Sequence, residues 1–140
     1  MTKYQKKLIL NTNLWISFLI TKNYNQLDHI LFVEDVRLIF SQELLEEFLD
    51  VVKRPKFRNF FNSEDIEELL ETIEEYANFV QVTSKIELCR DKKDNFLLSL
   101  AKDSNADYLV TGDKDLLELK RIKKTTILTI TEFLNTIKKK

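Results

Sequence analysis

The residues of this chain that could do chemistry are carboxylates and amides. Among 140 residues Cys89 is the only cysteine and His29 the only histidine, so neither an internal disulfide nor a zinc site can be assembled. Three polar clusters remain: Asn11-Thr12-Asn13, Asp91-Lys92-Lys93-Asp94-Asn95 and Gly112-Asp113-Lys114-Asp115. Taken singly, these acids have a structural role open to them. Asp91 and Asp113 are placed to cap helices, and Asp94 stands where an N3 acid would. Crowded at one edge of a fold, the same carboxylates would repel one another unless a cation neutralised them. A hard divalent ion such as Mg²⁺ takes oxygen ligands of this kind.

The elements around these clusters decide whether they can meet. Leu8-Ile9-Leu10 reads as a first strand, followed by a helical apolar run over 14–20. A helix is expected over 26–33, a second strand over 36–40, and a helix from Ser41 with apolar residues at 44, 45, 48, 49 and 52. Ser63 opens a helix with Ile66, Leu69, Leu70, Ile73 and Ala77 on one side and an acidic opposite face. Residues 79–82 read as a third strand, 92–102 as a helix, 108–110 and 126–129 as strands, and a last helix starts near Thr131. Strands alternating with helices imply crossover connections and a mostly parallel sheet covered on both faces. In such a sheet, ligands bind beyond the carboxyl ends of the strands. All three polar clusters are expected there.

A further acid comes from the Ser41 helix. At about 100° per residue, Glu47 lies about 40° beyond one edge of the apolar arc and Glu46 about 60° beyond the other, so periodicity slightly favours Glu47 as half-buried. That helix runs into Lys53-Arg54-Pro55-Lys56-Phe57-Arg58, a basic run open both to phosphate contact and to simple solvation. Lys92 and Lys93, beside Asp94, could also face a polyanion. The whole chain carries 22 Lys+Arg against 23 Asp+Glu, so any nucleic-acid contact must come from such local patches. A single glycine excludes a Rossmann dinucleotide loop. Asn11-Thr12-Asn13 lacks the Asp-x-Asp of haloacid dehalogenase-type phosphotransferases, and Thr83-Ser84 offers no phospho-acceptor of the receiver type. No stretch reaches the roughly 20 apolar residues of a membrane span. The N-terminal lysines precede an apolar run broken by Asn11-Thr12-Asn13, with no cleavage site of the signal-peptide kind. A cytoplasmic α/β domain over 1–140 is the expectation.

In order and spacing the clusters resemble the PIN-domain family, specifically the VapC-like toxins of bacterial toxin–antitoxin pairs. The resemblance runs from about residue 8 to residue 135. It rests on Asn11-Thr12-Asn13, where the family has Asp-Thr-Asn, on Ser41 to Glu47 leading into Lys53-Arg54-Pro55-Lys56-Phe57, and on Arg90 to Phe96. The most specific piece is Ala106-Asp107-Tyr108-Leu109-Val110-Thr111-Gly112-Asp113-Lys114-Asp115-Leu116-Leu117, and Thr129 to Leu134 closes the match. The resemblance implies a three-layer α/β/α sandwich and a ribonuclease using Mg²⁺ or Mn²⁺, with four acids holding metal at the sheet edge. Carried over by position, the acids fall on Asn11, Glu47, Asp94 and Asp113, with Asp115 auxiliary. Thr12, Asn13 and Thr111 match polar positions that organise the site, and Lys53, Arg54, Lys56, Arg58, Lys92 and Lys93 are candidate RNA contacts. The resemblance further implies a small antitoxin as partner and allows a homodimer. Asn11 departs from the pattern: an amide lends a carbonyl oxygen but no negative charge, so a metal site built on it is weakened. The competing expectation is a catalytically silent PIN-like protein that binds RNA or an antitoxin without cutting.

Overall fold

The computed structural model describes residues 6–21, 36–57, 59–60 and 62–138. The strands are β1 (Lys6–Leu10), β2 (Val36–Phe40), β3 (Ala77–Phe79), β4 (Tyr108–Val110), β5 (Arg121–Ile122) and β6 (Thr125–Leu128). The helices are α1 (Thr12–Thr21), α2 (Gln42–Val52), α3 (Ser63–Tyr76), α4 (Lys92–Ser104), α5 (Lys114–Leu119) and α6 (Ile130–Lys138), with a 3₁₀ turn over Pro55–Phe57. The helix expected over 26–33 lies outside the described residues.

The strands form one sheet in the order β3-β2-β1-β4-β6-β5, parallel throughout except for β5 against β6. This is the mostly parallel α/β architecture expected from the alternation of elements. β1 is central, with Leu8 opposite Leu38 on one side and opposite Tyr108 on the other. Leu8, Ile9 and Leu10 are fully buried, which is why this strand reads as a continuous apolar run rather than an alternating one. From β1 the chain moves outward to β2 and β3, then returns to β4 on the opposite side. The strand order therefore reverses at β1 and β4, and a crevice opens beyond their carboxyl ends.

Helix ends are fixed by side chains, among them the caps Ser41, Asp91 and Asp113 expected from the sequence. Ser41 Oγ accepts from Leu44 N at 3.0 Å and starts α2, which buries Leu44, Phe48, Val51 and Val52. Asn62 and Asp65 close a capping box at α3, and Thr129 with Glu132 form the same reciprocal pair at α6. Asp91 caps α4 and Asp113 caps α5.

The third strand departs from expectation. It occupies Ala77–Phe79 rather than 79–82, because α3 passes directly into it at Tyr76. Beyond Phe79 the alternating residues Val80, Val82 and Ile86 still pack on the core. Val80 N still donates to Phe40 O of β2 at 2.8 Å, but from Thr83 on the backbone finds its partners on α4: Thr83 N and Ser84 N donate to Asp103, Ile86 N to Ser99 Oγ, and Cys89 N to Asn95 Oδ1. The last strand begins at Thr125, and β5 is an addition. Lys120 ends α5 with φ of 62° and Lys123 opens the turn from β5 to β6 with φ of 53°, positions that glycine or asparagine ordinarily mark.

Candidate metal centre

The ends of β1 and β4 are tied together by polar side chains. Asn11 N donates to Val110 O at 3.1 Å, and its carbonyl accepts from Leu14 N at 2.9 Å, so the residue both extends β1 and opens α1. Its side chain works in two directions: Oδ1 accepts from Asn13 N at 3.1 Å, and Nδ2 donates to Thr111 Oγ1 at 2.9 Å. Thr111 Oγ1 also accepts from Asp113 N at 3.1 Å. Thr12 and Thr111 are buried and Asn13 is exposed. Asn11 and Thr111 thereby set the backbone that carries Asp113.

Asp94, Asp113 and Asp115 each direct a carboxylate oxygen to a common point, all within 4.8 Å of one another. Asp94 enters from the first turn of α4, and Asp113 and Asp115 from the start of α5. Asp94 is only 5 % exposed, and its Oδ2 has no hydrogen-bond partner. Burial, followed by the charges of Asp113 and Asp91, pushes its carboxyl up from 3.8 to about 6. An orphaned buried carboxylate oxygen beside further carboxylates is a donor set that suits Mg²⁺ or Mn²⁺, which prefer all-oxygen coordination. Without a cation the arrangement is electrostatically unfavourable.

A groove of about 290 Å³ runs past these acids. Asn11, Thr12, Asn13, Asp91, Asp94 and Asp113 line it on the sheet side, while Glu47, Arg54, Lys56 and Lys93 line it from the α2 side and the start of α4. Glu47 is the half-buried glutamate and Glu46 the exposed one, in the direction that periodicity favoured. Glu47 stands outside the three-acid cluster and pairs with Lys93 Nζ at 3.8 Å. The basic residues divide. Arg54, Lys56 and Lys93 face the groove, Lys53 and Lys92 are exposed and do not line it, and Arg58 lies outside the described residues.

Sequence reasoning missed two features here. Arg90 reaches Asp115, with Nη2 4.0 Å from Oδ2. Asn95 binds both backbone groups of Cys89, accepting from its N at 2.8 Å and donating to its O at 2.9 Å. Arg90 stands in no periodic pattern, and the polar stripe of Asn95, Ser99 and Asp103 along α4 is the signal that could have marked Asn95. Burial, with the charges of Asp94, Asp115 and Asp113, raises the Cys89 thiol above its ordinary value. It stays protonated near neutrality and is unsuited to act as a nucleophile.

A PIN domain family model matches residues 7–115. The chain is 29% identical over 123 residues to an uncharacterized protein of Methanocaldococcus jannaschii, covering 86% of this chain and 79% of that protein. Among solved structures it resembles VapBC2 from Rickettsia felis, solved bound to a DNA fragment from their promoter. That likeness has a TM-score of 0.56 at 21% identity and covers 86% of this chain and 96% of the other, a similarity of fold. The family match takes in the whole path from β1 to the capped start of α5, including every acid of the cluster, and on that extent the chain belongs to the PIN-domain family.

Proposed function

We propose that the chain is a ribonuclease dependent on Mg²⁺ or Mn²⁺, the toxin of a toxin–antitoxin pair, with activity weakened by Asn11. The observation that carries this reading is the buried, unpartnered Oδ2 of Asp94 facing Asp113 and Asp115. Asp94, Asp113 and Asp115 would hold the ion, with Asn11 offering at most the second lone pair of Oδ1 and Glu47 contributing from across the groove. When bound, the ion would lower the pKa of a water and stabilise charge on the leaving oxygen of a phosphodiester. Arg54, Lys56 and Lys93 would fix the RNA phosphates along the groove, and Lys53 and Lys92 would extend the contact outside it. Thr12, Asn13 and Thr111 organise the backbone at the end of β1 and β4. Asp115 serves as an auxiliary ligand on this reading, its carboxylate offsetting part of the charge that Asn11 lacks.

The likeness to VapBC2 supports a small antitoxin as the partner, and a homodimer is compatible with the reading. Residues 1–140 then act as one cytoplasmic PIN-like domain. No helix among the described residues is long and apolar enough to cross a membrane.

One observation favours the second reading, a silent protein that binds RNA or an antitoxin. Both side-chain atoms of Asn11 already have protein partners, Asn13 N and Thr111 Oγ1. The deciding experiment is Asn11→Asp assayed on single-stranded RNA with Mg²⁺, Mn²⁺ and EDTA. The Asp variant should cleave about ten-fold faster or more, about 1.4 kcal/mol of barrier, and adding Asp113→Ala should abolish the gain. No cleavage under any metal favours the silent protein, and cleavage that survives EDTA rules out the metal mechanism.

A further inference from the structure

A second cleft shares no lining residue with the groove and meets the carboxylate cluster at Asp115. Leu88, Cys89 and Arg90 form one wall and Asp115, Glu118 and Leu119 the other of a shallow, open cleft of about 400 Å³. The first wall belongs to a segment without regular secondary structure, yet it is held in place. Asn95 grips Cys89 through both backbone groups, and Ser99 and Asp103, at successive four-residue steps along α4, hold Ile86 and Thr83-Ser84. The cleft is therefore formed before any ligand arrives, which lowers the ordering cost of binding.

Its chemistry differs from that of the groove. Leu88 is 61% exposed and Leu119 is half-buried, so each wall carries an apolar side chain. Arg90 places a planar guanidinium on the rim, 4.0 Å from Asp115. Asp115 and Glu118 supply carboxylates that repel a phosphate but accept from N–H donors. A flat apolar group with donors along one edge fits these walls: it can pack on leucine, stack on guanidinium and donate to a carboxylate.

We propose that this cleft is a nucleobase subsite for the nucleotide beside the phosphate at the carboxylate cluster, with guanine preferred. Guanine carries adjacent N–H donors on its Watson–Crick edge, a match for the two oxygens of Glu118. Asn95 is then a positioning residue that fixes the Cys89 wall. The inference rests on the ribonuclease reading, and the following experiment separates the two.

Fluorescence anisotropy is measured on the full chain with labelled hexauridylate and with the same oligomer carrying one central guanine, in Ca²⁺ to suppress cleavage. The guanine oligomer should bind about five-fold more tightly, about 1 kcal/mol. In Glu118→Gln and in Leu88→Ala that ratio should fall below about two-fold, about 0.4 kcal/mol. No binding of either oligomer overturns the ribonuclease reading and the subsite with it. Equal binding of both, or a ratio unmoved by both substitutions, overturns the subsite alone. Protection of the cleft by an arginine-rich peptide, with no base preference, assigns it to a protein partner and likewise overturns the subsite.

Discussion

Asn11 and Thr111 join the two strand ends that frame the acidic cluster, with Nδ2 of the amide 2.9 Å from the threonine hydroxyl. The same hydroxyl accepts from Asp113 N, so a single oxygen links the end of β1 to the backbone of an acid. Thr111→Val leaves both donors without a partner, in a place where Thr111 is 1% exposed. Chemical denaturation should show a loss of about 1–3 kcal/mol. A double-mutant cycle with Asn11→Ala should give a coupling of at least about 0.5 kcal/mol, since the two side chains share one bond. In Asn11→Asp the hydroxyl can turn and donate to the carboxylate, but the added charge beside Asp94 and Asp113 should lower the stability of the metal-free protein, and Mg²⁺ or Mn²⁺ should restore it.

The raised carboxyl of Asp94 fixes the sign of a pH dependence. With a folded value of about 6 against 3.8, the native state holds a proton that the unfolded state has released. Stability from this group is therefore greatest below about pH 4 and is lost as pH rises through 6. Thermal melts of the metal-free protein should show Asp94→Asn more stable than the parent at pH 7.5, with the difference vanishing near pH 4. Millimolar Mn²⁺ should raise the parent's Tm at pH 7.5, raise it far less at pH 5, and leave Asp94→Asn nearly unmoved at both. Equal shifts at the two pH values would place the ion elsewhere.

What the sequence made legible was governed by local signals. Leu8-Ile9-Leu10 and Tyr108-Leu109-Val110 read as buried strands because continuous apolar runs suit a sheet covered on both faces, and they pair in register as neighbours. Asp91, Asp113 and Ser41 were recognisable as caps because their side chains act within three residues of themselves. The convergence of Asp94 with Asp113 and Asp115 followed from topology, since all precede or open helices at one sheet edge. The course of residues 80–89 was not legible. Val80 and Val82 carry the strand alternation, and Val80 N still donates to Phe40 O, but beyond them Asn95, Ser99 and Asp103 supply the hydrogen bonds from one stripe of a helix. β5 was equally hidden, because lysine occupies the positive-φ positions on either side of it, Lys120 and Lys123.

Asp103 provides the test of that helix-held segment. Its carboxylate accepts from Thr83 N at 2.7 Å, from Ser84 N at 2.9 Å and from the Ser84 hydroxyl at 2.5 Å. These bonds, led by the Ser84 hydroxyl, hold its pKa below the ordinary 3.8. The sign is opposite to that of Asp94: stability from this group is present above about pH 4 and is lost as pH falls through the lowered value. Asp103→Asn retains the shape but not the charge, so denaturation at pH 6 should show it less stable by about 1–3 kcal/mol. The gap should close as pH falls through the lowered value. Hydrogen exchange should accelerate at Thr83 and Ser84 in the variant while the amide of Cys89, held independently by Asn95, stays protected. Loss of protection at all three positions together would mean that the segment opens as one unit rather than being pinned point by point along α4.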